Sequence, residues 1–145
     1  MPKTHPKPAI TIIASRKEFA SRAATVRRVL ASSLSALKQE NAALEAYLVT
    51  NEEMRMLNMA FRGKDCPTNV LSFEAKGFPR ADAGTRAYLG EIYLAPNVIK
   101  EKKEDIRLLA AHGLLHLLGY THETERDRMK MERAEDRLLA RAKRS

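Results

Sequence analysis

Apolar residues follow two rhythms along the chain. Ala9 to Ala14 is a short run in which Ile10, Ile12 and Ile13 surround Thr11, and it reads as a β-strand. The rhythm then changes. Phe19, Ala23, Val26, Leu30, Leu34 and Leu37 recur at three- and four-residue steps, the core-facing stripe of a helix over about 16–38. Arg16, Lys17, Arg22, Arg27 and Arg28 are left facing solvent. Gln39-Glu40-Asn41 breaks this element, and Leu44 to Thr50 alternates in part as a second strand. A helix follows from Glu52, capped by Thr50 or Asn51, with Glu52 and Glu53 in its first turn. Met54, Leu57 and Phe61 form its apolar face, and Gly63 ends it.

Residues 62–68 read as a polar loop, Val70 to Phe73 as a third strand, and 76–87 as a surface loop carrying Gly77, Pro79 and Gly84. Tyr88 to Ala95 is a fourth strand, able to pair with the third as a hairpin. One helix then runs to about Leu118. A last helix covers about 124–141, with Thr124 and Asp127 spaced as a cap and its N3 acid. Residues 1–8 read as a mobile lead-in and 142–145 as a frayed end. With no repeat and no linker, 1–145 reads as a single α+β domain.

Composition narrows the classes. Of 145 residues, 44% are hydrophobic and 30% charged, the balance of a soluble globular domain. No apolar run is long enough to cross a bilayer. Cys66 is the one cysteine, so no internal disulfide forms and a reducing, cytoplasmic setting fits. The Arg- and Ser-rich stretch 15–38 has the composition of an organellar transit peptide as well, which leaves an organellar form open. The net charge of +8 favours polyanionic partners such as RNA, DNA or anionic membranes. Aromatic residues are only 6%, with no Trp, so a broad base-stacking platform is not expected.

The chemistry concentrates in His112-Gly-Leu-Leu-His116-Leu-Leu-Gly-Tyr-Thr-His122, three of the four histidines in one short segment. His112 and His116 stand one helical turn apart on one face. Gly119 lets the helix stop and turn, so that His122 folds back toward the other two. Three neutral imidazoles with an open fourth position describe a catalytic zinc site better than a closed structural one. Cys66 is the alternative fourth ligand. The spacing matches the metzincin proteases, H-E-x-x-H-x-x-G-x-x-H, at every histidine and at the glycine. Their general-base glutamate is missing, because Gly113 stands there.

The same segment resembles the signature H-G-x-x-H-L-x-G-[YF]-x-H of the YbeY endoribonucleases. Leu57-Asn58-x-x-Phe61-Arg62-Gly63-Lys64-Asp65-x-Pro67-Thr68-Asn69-Val70-Leu71-Ser72-Phe73 is similar to a second motif of that family, and Leu89-Gly90-Glu91-Ile92 to a third. Met131 and Glu135 fall where the family has a Met and a Glu. Thr121 and Glu74 depart from it, standing where Asp and Pro are common.

The resemblance implies an α+β fold with a small mixed, mostly antiparallel four-stranded sheet and about four to six helices. It also implies a zinc-dependent endoribonuclease preferring single strands, acting in ribosomal RNA maturation, the 3′ end of the small-subunit RNA included, and in ribosome quality control. Ribosomal RNA and ribosomal particles are then the partners, and no membrane is. One zinc would sit on His112, His116 and His122 with a water. Arg62 is the candidate catalytic cation, since a guanidinium clamps two phosphate oxygens; capping the preceding helix is its other possible role. Lys64, Asn69 and Ser72 are candidate RNA contacts, although Thr68-Asn69 also reads as turn chemistry. Glu135 either holds a ligating histidine through its second nitrogen or is a plain solvated carboxylate, and Met131 reads as core. Attack by water and attack by the RNA 2′-OH both stay open. So do two other functions: a ribosome-associated binding protein with a structural zinc, and a metzincin-like hydrolase of another substrate.

Overall fold

The two rhythms become one mixed sheet and five α-helices in a computed structural model that describes residues 7–75 and 87–144. In chain order these are β1 (Ala9–Ala14), a one-turn 3-10 helix (Lys17–Phe19), α1 (Ala20–Ala36), β2 (Ala42–Leu48), α2 (Asn51–Arg62) and β3 (Val70–Glu74). Then come β4 (Ala87–Leu94), α3 (Pro96–Glu101), α4 (Ile106–Leu117) and α5 (Glu125–Arg144). Most of the expected 76–87 loop and most of the 1–8 lead-in lie outside the described residues. No described helix is long and apolar enough to cross a membrane.

The sheet order is β1-β2-β4-β3. β1 pairs parallel with β2, β2 parallel with β4, and only β3 with β4 is antiparallel. The sheet is therefore mostly parallel, which corrects the mostly antiparallel expectation. The cause is the connections. The 17 residues of α1 span roughly 25 Å, enough to carry the chain back to the end where β1 began. β2 must then run the same way as β1. α2 and β3 together return the chain again before β4. Only β3 and β4 form the antiparallel pair that the sequence suggested.

Three boundaries also shift. β2 begins at Ala42, two residues before Leu44, and ends at Leu48. α5 continues to Arg144, past the expected stop near 141. The single helix expected after β4 is two. Lys103 takes a left-handed φ of 58°, and the Asp105 side chain accepts from the Arg107 N–H at 2.9 Å to start α4 afresh.

β2 alternates strictly, with Ala42, Leu44, Ala46 and Leu48 buried and Glu45 and Tyr47 on the other face. The buried face meets α1, α4 and α5 in the main core, where Leu30, Leu34, Ile92, Leu114, Leu115 and Met131 are fully enclosed. Met131 is thus a core residue, as expected. A smaller cluster of Met54, Leu71 and Val98 seats α2 and α3 against the opposite side. The apolar face of α2 stops short of Phe61. Met54 and Asn58 are the buried residues of that helix, and Phe61, expected on its apolar face, is 65% exposed.

Two glycines set close approaches. Gly90 has φ of 132°, and a Cβ there would lie 2.1 Å from the Phe73 carbonyl oxygen, so this β4 position accepts only glycine. Gly113 is the contact point of α4 with the sheet. A Cβ on it would come within 2.8 Å of Ile92 Cγ2 and 3.1 Å of Ser72 Oγ. Ile92 is wholly buried and β-branched, so it has nowhere to go.

Gly113→Ala should therefore destabilise the protein by roughly 1 kcal/mol net. The overpacking penalty of about 1–3 kcal/mol exceeds the gain of about 1 kcal/mol from helix propensity. Urea unfolding measures it, and a raised midpoint would contradict the packing described.

Candidate metal centre and its cleft

Of the twelve residues of α4, seven are buried, so the helix is held on most of its circumference. His112 and His116 lie one turn apart and half-buried, opening on a cleft of about 500 Å³. The helix ends as the spacing asks. Gly119 has φ of 97°, its N–H bonds the His116 carbonyl at 3.0 Å, and the Tyr120 N–H bonds the Leu115 carbonyl at 3.0 Å. That turn returns His122 to the first two histidines. The Thr124 hydroxyl then accepts from the Asp127 N–H at 3.0 Å, the expected cap of α5.

The three rings form a nearly equal-sided triangle. Centroids are 4.6 Å apart for His112 and His116, 4.9 Å for His112 and His122, and 4.6 Å for His116 and His122. One ligand nitrogen from each lies within 4.8 Å of the others, and among the described residues this is the one such cluster. The Nε2 atoms of His112 and His116 are 3.1 Å apart. Two imidazole nitrogens on one tetrahedral zinc, each at about 2.0–2.1 Å, would be about 3.3 Å apart. The donor set and its spacing thus fit a single ion. Cys66 is exposed on the loop after α2 and is not among the converging atoms.

Glu135, on α5, is buried, with its Oε1 3.4 Å from His112 Nδ1. It is not a solvated carboxylate. It stands on the far nitrogen of the ring whose Nε2 faces His116. Burial, and then the neighbouring His112 and His122, hold the His116 imidazole below its usual pKa, favouring the neutral form that a metal needs.

Arg62 is the last residue of α2. It lines the same cleft as the three histidines, and among the described residues it takes part in no ion pair. Its loop is pinned from below. The Asn58 amide donates to the Cys66 carbonyl at 2.8 Å, and Arg55 pairs with Asp65 and with Glu52. The other expected site residues are placed differently. Lys64 is exposed and lies off the cleft wall. Asn69 lines the wall, but its amide donates to Glu104 at 3.1 and 3.3 Å and its oxygen accepts from the Val70 N–H, so it works as a turn residue. The Ser72 hydroxyl donates to the Gly113 carbonyl at 3.1 Å and ties β3 to α4.

Thr68, Val70, Leu71 and Phe73 also line the cleft, and two further lining residues stand out as unexpected. Phe61 borders the cleft because the apolar face of α2 ends before it. Glu74, seen in the sequence only as a departure from the family pattern, is among the described residues the one carboxylate on the wall. Strand alternation was the available signal, since Glu74 follows Ser72 by two residues and shares its face.

Fold and site together define a mixed-sheet α+β protein with an open three-histidine centre beside a guanidinium that is in no ion pair among the described residues. Comparison with known proteins agrees. Residues 10–143 match the family model described as endoribonuclease YbeY. The endoribonuclease YbeY of Rhodopseudomonas palustris is 39% identical over 132 residues, covering 84% of this chain and 70% of that protein. That of Francisella tularensis subsp. holarctica is 40% identical over 104 residues, covering 64% of this chain and 63% of that protein. The solution structure of TM1509 from Thermotoga maritima superposes with a TM-score of 0.60 at 25% identity, covering 92% of this chain and 88% of that one. The chain belongs to the YbeY family of endoribonucleases.

The half-buried His116 imidazole has a consequence for stability. An unfolded histidine takes a proton near pH 6.5, whereas folded His116 resists it until lower pH. The metal-free protein should therefore hold this contribution above about pH 6.5 and lose stability as pH falls below it. Urea unfolding of the metal-free wild type and His116→Asn across that range checks it. The wild type should show the steeper decline, and equal slopes would contradict it.

Proposed function

We propose that this chain, as one domain over 1–145, is a zinc-dependent endoribonuclease that cuts single-stranded RNA in the cytoplasm. Its substrates are ribosomal RNA, with the 3′ end of the small-subunit RNA among its sites, and faulty ribosomal particles. The observation that carries this reading is the meeting of three imidazoles and Arg62 on one cleft in a member of this family. The net charge of +8 supports a polyanionic substrate whose affinity falls with salt.

In this reading His112, His116 and His122 hold the ion, which when bound supplies Lewis acidity to a phosphoryl oxygen or to a water. Arg62 takes two phosphate oxygens in its planar fork and offsets the charge that develops as the phosphorus is attacked. Glu135, 3.4 Å from His112 Nδ1, would accept that nitrogen's proton once the ring closes on the ion and so keep Nε2 turned inward. Asn69 and Ser72 shape the wall that the RNA meets, and Lys64 touches a more distant phosphate.

Peptide hydrolysis is disfavoured by the fold. The position that carries the metzincin glutamate is Gly113, and its missing Cβ points at Ile92 and Ser72, into the helix–sheet contact. A glutamate side chain there would clash with Ile92 and Ser72 unless the helix moved off the sheet.

The test is cleavage of an end-labelled single-stranded RNA by zinc-loaded wild type, His116→Ala and Arg62→Ala prepared identically. The wild type should cut, His116→Ala should not, and Arg62→Ala should be slower by about 10²–10³. Equal cutting by all three would place the activity elsewhere, and no cutting by the wild type would favour a binding protein. For Glu135, the Gln variant should bind zinc roughly 10- to 100-fold more weakly in competition with a chromophoric chelator. Unchanged affinity would leave Glu135 a packing residue only.

A further inference from the structure

Phe61 is out of place energetically. A large aromatic ring normally gains from burial, yet this one is 65% exposed; Met54 and Leu57 of the same helix point inward, and Met56 and Met59 are exposed beside it at 62% and 51%. It is also held still. Its ring lies 4.9 Å from Phe73 at 54°, Phe73 lies 5.7 Å from Tyr93 at 77°, and Tyr93 stacks on Tyr47 at 4.7 Å and 11°. Half of the chain's eight Phe and Tyr residues thus form one ladder across the sheet, and Phe61 is its solvent end. A ring buttressed on one side and bare on the other is a stacking surface that loses little freedom when a planar group lands on it.

Its surroundings say which planar group. Phe61 lines the cleft that holds the three histidines and Arg62. It also lines a second groove on the far side, whose polar residues include Glu45, Glu74 and Glu91. The Tyr47 and Tyr88 hydroxyls donate to Glu45, which holds its carboxyl below the usual range, and the Tyr93 hydroxyl donates to Glu91. Glu74 borders both the cleft and the groove, so the division rests on Glu45 and Glu91: phosphates are drawn to the Arg62 side and repelled from the side of these two carboxylates. Phe61 therefore stands on the ridge where a nucleotide would keep its phosphate in the cleft and turn its base away.

We propose that Phe61 is the base-stacking residue of this site, receiving on its exposed ring the nucleobase adjacent to the phosphate that Arg62 holds. The inference rests on the endoribonuclease reading above and gives it a physical origin for single-strand preference. A base inside a duplex must first break its pair and its stack to reach Phe61, and an unpaired base need not. Stacking on phenylalanine is tolerant of sequence, so the site reads strandedness more than base identity.

The test uses one short single-stranded RNA, a series of it with a single abasic nucleotide moved along the chain, and a version with 2-aminopurine at the sensitive position. Zinc-loaded wild type, Phe61→Ala, Phe61→Leu and Phe61→Trp are compared, each checked for an unchanged melting temperature. Phe61→Ala and Phe61→Leu should lower kcat/KM roughly tenfold or more, and Phe61→Trp should stay within a few-fold of wild type. In the wild type one abasic position should reproduce that loss, and the same abasic RNA should cost Phe61→Ala nothing further. Leucine rescuing as well as tryptophan, or losses that add at every position, would overturn the stacking role. The 2-aminopurine signal separates the two claims. Binding that perturbs it in wild type but not in Phe61→Ala, with no cleavage by either, keeps the stacking and defeats the nuclease reading. Cleavage that does not depend on Phe61 does the reverse.

Discussion

The candidate site depends on the contact between α4 and the sheet at Gly113. The helix approaches β3 and β4 closely enough that no Cβ fits between them, and the Ser72 hydroxyl bonds the Gly113 carbonyl at 3.1 Å. That contact, with Leu114 and Leu115 buried beside it, fixes both the depth and the rotation of α4. Once the helix cannot roll, His112 and His116 face the cleft together, and the turn at Gly119 needs only to return His122. Glu135 reaches His112 from α5, whose Met131 and Leu138 are locked into the same core. The rings are placed by packing, not by mutual attraction. Three imidazoles this close would repel one another if protonated, and His116 shows the burial and neighbour effects that keep it neutral.

Charge is divided across the sheet in a way the net value hides. The cleft side carries Arg62 and the imidazoles, and the far side carries Glu45 and Glu91, paired in parallel register on β2 and β4. A chain of net charge +8 thus keeps an acidic face, and a polyanion approaching it is steered to one side. Three acids near Arg62 are engaged elsewhere, and Glu74 shares its cleft without an ion pair to it among the described residues. Asp65 and Glu52 are bound to Arg55, and Glu104 to Asn69.

Much of this was legible in the residues. The stripe from Phe19 to Leu37, the Thr50 cap, the Gly63 stop and the three-histidine spacing are local signals, and each appears where its period or turn chemistry places it. Sheet direction was not legible, because it depends on where helices return the chain. The hairpin signal between β3 and β4 was sound but spoke for one pair of three. Phe61 was misjudged because helical periodicity marks a residue as apolar without showing whether anything covers it. Gly113 was read correctly as lacking a base. The reason, that its missing side chain faces Ile92, is a tertiary fact no spacing reveals.

The most direct test of the central claim is the zinc X-ray absorption spectrum of the loaded protein, taken before and after adding an uncleavable single-stranded RNA. An open catalytic centre predicts three imidazole nitrogens at about 2.0–2.1 Å and one light-atom ligand whose signal changes when RNA binds. Four protein ligands, with sulfur at about 2.3 Å or with a spectrum indifferent to RNA, would contradict it and make the zinc structural.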